Sequence, residues 1–300
     1  MRKILVSDAI VQNGIDFLKG KGFEVVLKPD ITPEELVKEI GDYGALIVRS
    51  RTKVTLDVIT VGKKLKVIGR AGSGLDNIDV AAAKSAGITV VNAPGANATS
   101  VAEHTMAVIL NLFRNLIPVA TALKAGRWEK KTYQVTELAG KTIGIVGFGH
   151  VGSLVAQLAA GFGMKILVTT RSQKSVPGAL VPLEQLLRES DVITLHVPKS
   201  SETQSLIGKK ELALMKKTSY LVNCSRGGVV DEEALVAALT NRQIAGAALD
   251  VFATEPLPAD SPLLSLPNVI LTPHVAGQSR EAKERASLAV AQEVAAALLL

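Results

Sequence analysis

The stretch Thr142-Ile143-Gly144-Ile145-Val146-Gly147-Phe148-Gly149-His150-Val151-Gly152 contains an apolar run followed by three glycines in a Gly-x-Gly-x-x-Gly pattern. An alanine- and leucine-rich segment with helical spacing, 153–162, comes next, and a second apolar run, 165–169, follows it. Strand, tight turn, helix and strand in this order are the context that a dinucleotide-binding fingerprint requires. The stretch therefore predicts the first βαβ unit of a Rossmann-type domain.

Each glycine of this turn has its own expected role. Gly147 forms the turn, and Gly149 allows the backbone to approach a pyrophosphate. Gly152 allows the helix to pack close to the strand, with the N–H groups of the first helical turn facing the phosphates. We therefore expect the glycines to bind a dinucleotide rather than to form a merely flexible loop.

Short apolar strands alternate with helical segments along the rest of the chain, as in 45–48 and 192–197. Their hydrophobic runs are continuous, which is typical of parallel strands covered on both faces. This alternation predicts the α/β class with parallel sheets. A length of 300 residues predicts two domains, each with its own core.

The composition excludes several classes of protein. With 47% hydrophobic and 21% charged residues the chain is globular, and its one cysteine, Cys224, excludes an internal disulfide and a multi-thiolate metal site. No apolar run is long enough to span a membrane and no signal-peptide pattern follows Met1, so we expect a cytoplasmic protein without a membrane partner. The net charge of +6 comes from scattered basic pairs, so we expect a solvated surface and no nucleic-acid partner.

Three segments place charged side chains just after predicted strands, where open α/β sheets bind ligands. They contain Arg226, the carboxylates Asp250 and Glu255, and His274. Arginine can hold a substrate carboxylate and polarise a carbonyl. Histidine can exchange the hydroxyl proton, and Glu255 could bond its other ring nitrogen. This set suits the redox chemistry of a 2-hydroxy or 2-oxo acid beside a nicotinamide.

Taken together, these motifs resemble the D-isomer-specific 2-hydroxyacid dehydrogenase family over nearly all of the 300 residues. The resemblance rests on the glycine turn and on Asn223–Gly228, Asp250–Pro256 and Thr272-Pro273-His274. The phosphoglycerate dehydrogenase branch of that family is matched by Val48–Thr55, Gly69–Asp79, Val91–Gly95, Ala102–Thr105 and Glu137–Thr142.

The resemblance implies two Rossmann-like, doubly wound parallel-sheet domains with a cleft between them. Residues 1–96 plus 280–300 are expected to form a flavodoxin-like, substrate-binding domain. Residues 97–279 are expected to form the NAD(P)-binding Rossmann domain. Because the family dimerises through the helices after Asn97, the resemblance also implies a homodimer.

The family's functional residues carry over onto matching positions of this chain. The implied catalytic residues are Arg226, Glu255 and His274. The implied cofactor contacts are Ser73, Gly147, Gly149, His150, Val151, Gly152, Val197, Cys224, Ser225, Arg226, Asp250, His274, Val275, Ala276 and Gly277. The implied substrate contacts are Arg49, Ser50, Ala71, Gly72, Ser73 and Gly74. Four basic residues, which could bind a phosphate or could equally be solvated or structural, are Arg49, Arg51, Lys53 and Arg70.

One position departs from the pattern of family members that use NAD. About twenty residues past the glycines these members carry an acidic residue for the ribose hydroxyls. Here Thr170 stands at that position, and Arg171, Ser172 and Lys174 follow it. Loss of the carboxylate removes repulsion toward a 2′-phosphate, which the following residues could bind. We therefore predict that NADP is preferred, with NAD as the alternative.

Three functions remain open at this point. The first is oxidation of 3-phosphoglycerate to 3-phosphohydroxypyruvate in serine biosynthesis. The second is NADPH-dependent reduction of glyoxylate or hydroxypyruvate, which the NADP prediction favours. The third is a non-enzymatic, dinucleotide-sensing protein of the corepressor type, since corepressors share this family fold. Turnover of a 2-oxo acid separates the first two from the third.

Overall fold

The structure is a computed structural model that describes residues 3–171 and 175–299. These residues form twelve strands and eleven α-helices. The strands are β1 (Lys3–Val6), β2 (Glu24–Leu27), β3 (Ala45–Val48), β4 (Val67–Arg70), β5 (Thr89–Asn92), β6 (Thr142–Val146), β7 (Lys165–Thr169), β8 (Ala179–Leu180), β9 (Val192–Leu195), β10 (Tyr220–Asn223), β11 (Gly246–Leu249) and β12 (Val269–Leu271). The helices are α1 (Gln12–Gly20), α2 (Pro33–Glu39), α3 (Leu56–Val61), α4 (Val80–Ser85), α5 (Ala98–Arg114), α6 (Leu116–Lys124), α7 (His150–Gly161), α8 (Leu183–Glu189), α9 (Lys209–Leu214), α10 (Glu232–Thr240) and α11 (Arg280–Leu299).

The chain divides into two compact units. Unit 1 comprises Met1–Asn97 and Gln278–Leu300, and unit 2 comprises Ala98–Gly277. The substrate- and cofactor-binding roles that the sequence assigns to two domains stay predictions.

Unit 1 is built on five parallel strands in the order β2-β1-β3-β4-β5, the order of flavodoxin-like sheets. Leu5 and Leu46 belong to the core on one face of the sheet. Ile4 and Ile47 belong to the core on the other face, together with Val290 of α11. Because neighbouring residues of a strand point to opposite faces, continuous apolar strands supply both cores. The sheet is therefore doubly wound.

Unit 2 is built on seven parallel strands in the order β12-β11-β10-β9-β6-β7-β8. The chain runs outward from β6 to β7 and β8, and then returns to β9 on the other side of β6. The consecutive residues Ile145 and Val146 enter different cores, so both faces of this sheet are also covered. The point where the strand order reverses, between β6 and β9, is where open α/β sheets bind ligands.

Six strands of unit 2 end in register. The paired residues that form this line, here called the terminal row, are Thr169, Val146, Leu195, Asn223, Leu249 and Leu271. Neighbouring strands lie roughly 4.8 Å apart, so the loops that follow the row start close together on one edge. Each site segment of unit 2 that the sequence singled out at a strand end begins just past this row.

The predicted α/β class with two parallel, doubly wound sheets is confirmed. Among the described residues no single helix is long and apolar enough to cross a membrane; only α5 and α6 together, bent by 65°, meet the length and composition for it. Val101, Ile109 and Leu112 of α5 lie in a core of unit 2, which explains the apolar character of that helix.

Candidate functional site

The glycine turn after β6 is tightly packed at two of its three glycines. Gly147 has a φ of +94°, and a Cβ atom there would lie 2.5 Å from the carbonyl oxygen of His196. A Cβ atom at Gly152 would lie 2.2 Å from the carbonyl oxygen of Gly147. Only glycine fits these two positions without displacing backbone.

Gly149 is different, because nothing lies within 4 Å of the Cβ position there. Packing of the protein therefore does not require a glycine at this residue. Gly149 directly precedes α7. The backbone N–H groups in the first turn of a helix have no hydrogen-bond partner within that helix. An open glycine at a helix N-terminus is the arrangement that allows a pyrophosphate to approach the backbone, so the turn fits a dinucleotide.

The segment after β7 places Thr170 and Arg171 at the same edge of the sheet. The Arg171 guanidinium forms an ion pair with the carboxylate of Glu202, and both side chains are exposed. Glu202 comes from the loop after β9, and no local sequence signal pointed to it. Ser172 and Lys174, which the sequence also assigned to the cofactor, lie outside the described residues.

His274 and Glu255 are in direct contact. His274 Nδ1 lies 2.7 Å from Glu255 Oε2, so Nδ1–H donates to the carboxylate and Nε2 is left for proton exchange. The other oxygen, Oε1, accepts the backbone N–H of Phe252 at 3.0 Å. Glu255 is thereby fixed at both oxygens, which orients the imidazole ring.

The backbone at His274 adopts a left-handed conformation with a φ of +53°, which is uncommon for a residue other than glycine. The buried carboxylate of Asp250 holds the chain on both sides of it. Asp250 accepts the Thr272 hydroxyl at 2.6 Å and the N–H groups of Val275 and Ala276, each at 2.9 Å. Asp250, which the sequence assigned to the cofactor, thus also anchors the His274 loop.

His104 of α5 joins this network from the side. Its Nε2 lies 3.3 Å from Thr272 Oγ1 and 3.8 Å from Asp250 Oδ1. His104 was not predicted as a site residue, because its position in a helix is compatible with simple packing.

The loop that carries Arg226 packs against the loop that carries Glu255. A Cβ atom at Gly227 would lie only 1.7 Å from the carbonyl oxygen of Phe252, so glycine is needed for this approach. Asn223 shapes the turn: its Nδ2 donates to the Arg226 carbonyl at 3.0 Å, and its Oδ1 accepts the Ser225 hydroxyl at 2.7 Å. The Arg226 guanidinium donates to the Ser225 carbonyl at 2.8 Å.

Two neighbouring residues have strongly displaced pKa values. Burial, reinforced by the negative charge of Asp250, raises the pKa of the Cys224 thiol to about 12, although a hydrogen bond with Thr105 opposes this. Burial lowers the pKa of His196 to about 3, so that histidine is neutral at physiological pH. Val197 follows His196 and lies against Gly147. Neither Cys224 nor His196 is therefore suited to proton exchange near pH 7.

The sequence-predicted substrate residues lie in unit 1, after β3 and β4. The Ser73 hydroxyl donates to Asn97 Oδ1 at 2.9 Å, and its carbonyl accepts Asn92 Nδ2 at 2.6 Å. The guanidinium of Arg70 lies against Gly72, where a Cβ atom would be 1.9 Å from it. Arg49 projects from the loop after β3, and Ser50 beside it is exposed.

Within residues 3–171 and 175–299 no group of three or more His, Cys, Asp or Glu side chains could hold a metal ion.

Comparisons with known proteins show which proteins this chain resembles. The family model described as D-isomer specific 2-hydroxyacid dehydrogenase, NAD binding domain, matches residues 106–276. A D-3-phosphoglycerate dehydrogenase of Synechocystis sp. is 45% identical over the whole chain and 54% of its own length. A hydroxypyruvate reductase of Thermotoga maritima is 42% identical over 97% of both chains. The structure of an acyclic imino acid reductase in complex with NADPH and D-Arg superimposes with a TM-score of 0.90, at 30% identity, covering 99% of this chain and 97% of that one.

The chain spans about half the length of the phosphoglycerate dehydrogenases that it matches. It spans nearly the whole length of the hydroxypyruvate reductase.

Proposed function

The chain belongs to the D-isomer specific 2-hydroxyacid dehydrogenase family, and from this premise we propose that it oxidises 3-phosphoglycerate to 3-phosphohydroxypyruvate with a nicotinamide dinucleotide. The observation that carries the proposal is the contact of His274 with Glu255, just past the terminal row of the sheet that bears the glycine turn. A histidine oriented by a carboxylate, on the same edge of the sheet as the glycine turn, supports proton transfer coupled to hydride transfer.

Each of the three side chains has one task in the proposed reaction. A dinucleotide held at the glycine turn would supply the acceptor for the hydride that leaves C2 of the hydroxy acid. Nε2 of His274 takes the hydroxyl proton, while Glu255 holds Nδ1–H and stabilises the positive charge that the ring gains. The guanidinium of Arg226 binds the substrate carboxylate and polarises the C2 oxygen. In the reverse direction Nε2 returns the proton to that oxygen.

The substrate assignment is supported by the phosphoglycerate dehydrogenase relatives, which are 43–46% identical to nearly the whole chain. It is also supported by Arg49 after β3, whose cation can attract the phosphate of the substrate. Under this proposal the reaction belongs to serine biosynthesis.

For the cofactor we propose NADP(H) over NAD(H). Thr170 provides no carboxylate to repel a 2′-phosphate, and Arg171 provides a cation to bind it. Glu202 opposes this preference, because its carboxylate neutralises Arg171. The preference is therefore expected to be moderate.

A second candidate is an NADPH-dependent glyoxylate or hydroxypyruvate reductase. The specific observation in its favour is the Thermotoga maritima hydroxypyruvate reductase, which matches this chain over 97% of both lengths. The residues that carry out the proton transfer and bind the carboxylate are the same in both candidates. Only the group beyond C2 and the cofactor distinguish them.

A matched kinetic panel tests the proposal. The purified chain is assayed with NADH and NADPH against glyoxylate, hydroxypyruvate and 3-phosphohydroxypyruvate, following cofactor absorbance. The proposal expects the highest kcat/KM with the phosphorylated substrate. A higher kcat/KM with the two small acids would favour the reductase. Absence of turnover in every combination would overturn both and favour the dinucleotide sensor.

The variant His274→Gln tests the proton-transfer role. General acid–base catalysis contributes roughly 10²- to 10⁴-fold, so kcat should fall by that order. The dissociation constant of the dinucleotide, measured by fluorescence, should change by less than about threefold, since the glycine turn is untouched. A kcat near that of the wild type would remove His274 from this role.

A further inference from the structure

The loop Arg49–Thr52, which follows β3 in unit 1, is held by two side chains from elsewhere in that unit. Asp8 Oδ2 accepts the backbone N–H groups of Arg49 and Thr52 at 2.6 and 3.1 Å, and Oδ1 accepts the Thr52 hydroxyl at 2.7 Å. Asn77 Nδ2 donates to the carbonyls of Arg49 and Thr52 at 2.8 and 2.6 Å. Asp8 thus holds the backbone N–H groups at the two ends of the loop, and Asn77 holds the backbone carbonyl groups of the same two residues.

Arg51 is committed to the same scaffold. Its Nε lies 3.2 Å from Asp8 Oδ1, and its guanidinium donates to the carbonyls of Ser7 and Ile31 at 2.5 and 3.0 Å. The Asp8 side chain is only 5% exposed, and a carboxylate removed from water needs such a counter-charge. The positive charge of Arg51 therefore balances the negative charge of Asp8 and is not available in full to a ligand.

Arg49 is in a different situation. Its guanidinium donates to two neutral oxygens, the carbonyl of Ala9 at 3.4 Å and the amide of Gln278 at 3.3 Å. Hydrogen bonds of this length to neutral acceptors are weak and exchangeable. With Ser50 exposed beside it, Arg49 offers a cation and a hydroxyl from a loop whose backbone is already ordered.

We propose that Asp8 is a positioning residue that, together with Asn77, pre-orders the Arg49–Thr52 loop so that Arg49 and Ser50 bind the anionic tail of the substrate. This rests on the proposed function, under which the substrate is a 2-hydroxy or 2-oxo acid with a phosphate beyond C2. Of the four basic residues that the sequence offered for a phosphate, it makes Arg49 a ligand and Arg51 a scaffold residue. Pre-ordering raises affinity because less conformational entropy is lost on binding.

The test compares substrates with and without the tail in the full-length chain. In Asp8→Asn the KM for 3-phosphohydroxypyruvate should rise at least tenfold, and the KM for glyoxylate, which has no tail, should rise less than threefold. Asn77→Ala should show the same difference between the two KM values, and this variant replaces Asp8→Asn in the test if Asp8→Asn folds poorly. The matched control is Asp191→Asn. Asp191 also accepts a backbone N–H, that of Thr142 at 2.8 Å, and also pairs with a cation, that of Lys216 at 2.8 Å. It lies in unit 2, before β9, at the end of the sheet opposite to the terminal row. That control should lower the melting temperature without changing the ratio of the two KM values.

Binding measurements separate this inference from the proposed reaction. The dissociation constants of 3-phosphoglycerate and glycerate are measured by calorimetry in the presence of dinucleotide. Tighter binding of the phosphorylated acid, lost in Asp8→Asn, supports the inference even if no turnover is detected. It is overturned if the wild type binds both acids equally, or if Asp8→Asn and Asp191→Asn weaken both substrates by the same factor.

Discussion

Arg171 and Glu202 meet although they follow different strands, and under the proposed NADP preference we expect their pairing to limit how strongly the chain selects its dinucleotide. In Glu202→Gln the cation of Arg171 is no longer neutralised. Exposed pairs are worth about 0.2–1 kcal/mol, so the ratio of kcat/KM for NADPH to that for NADH should rise by about 1.4- to fivefold. The rise should be smaller at high salt, since exposed charges are screened.

The control for this change is Glu184→Gln, which removes one partner of another exposed pair in the same unit, with Arg188 at 3.0 Å. It should leave the cofactor ratio unchanged. An unchanged ratio in Glu202→Gln as well would mean that Glu202 has no influence on cofactor choice.

Cys224 provides a pH-dependent prediction at the same scale. Burial and the nearby charge of Asp250 raise the pKa of this thiol to about 12. The thiol therefore stays protonated at every pH below about 11, and the thiolate is the reactive form. At pH 8 the native protein should not react with a thiol reagent within minutes, whereas the chain unfolded in guanidinium should react at once. Rapid labelling of the native protein would contradict the burial of Cys224.

Among the connections between elements, the approach of the Arg226 loop to the Glu255 loop depends on one glycine. In Gly227→Ala the new methyl group would overlap the Phe252 carbonyl, so the two loops must separate. A displacement of about 1 Å can cost roughly 10²-fold in rate, and kcat/KM should fall by at least that order. The control is Gly161→Ala at the end of α7, where a Cβ atom has nothing within 4 Å. That variant should keep full activity, and equal losses in both would refute the argument from close packing.

Some elements and contacts of this fold follow from local sequence patterns, and others do not. The strand 142–146, the glycine turn and the contact between Glu255 and His274 were predictable, because each depends on a local pattern and on the rule that ligands meet at strand ends. Glu202 was not predictable, because it approaches Arg171 only through the strand order of unit 2, which no local pattern encodes. Arg51 was counted among the candidate phosphate ligands for a related reason: its partner Asp8 lies 43 positions earlier and follows a different strand.

At the scale of the whole molecule, α6 exposes several large apolar side chains. Leu116, Ile117 and Leu123 are 55, 51 and 55% exposed, and exposed apolar patches commonly mark interfaces. We expect the chain to sediment as a homodimer at micromolar concentration. The double variant Ile117→Asp with Leu123→Asp should shift it to a monomer. In a two-fold interface each new carboxylate is present in both subunits, so the interface would have to bury four unpaired charges.

The control for the interface is Leu56→Asp, because Leu56 is equally exposed, at 58%, but begins α3 in unit 1. It should leave the sedimentation coefficient unchanged. A wild-type protein that sediments as a monomer would overturn the dimer.

The interrupted course of unit 1 along the chain has a consequence for synthesis on the ribosome. Val290, Val294 and Leu298 of α11 are buried in the same core as Ile4 and Ile47, yet Ala98–Gly277 is translated between the two parts. At roughly 5–20 residues per second, about 10–35 s pass before that helix emerges. During this interval that apolar face of the first sheet is covered by α1 but still lacks α11, whereas unit 2 is already continuous. The nascent chain should therefore complete its second unit before its first, and its early segment is where a chaperone would be needed.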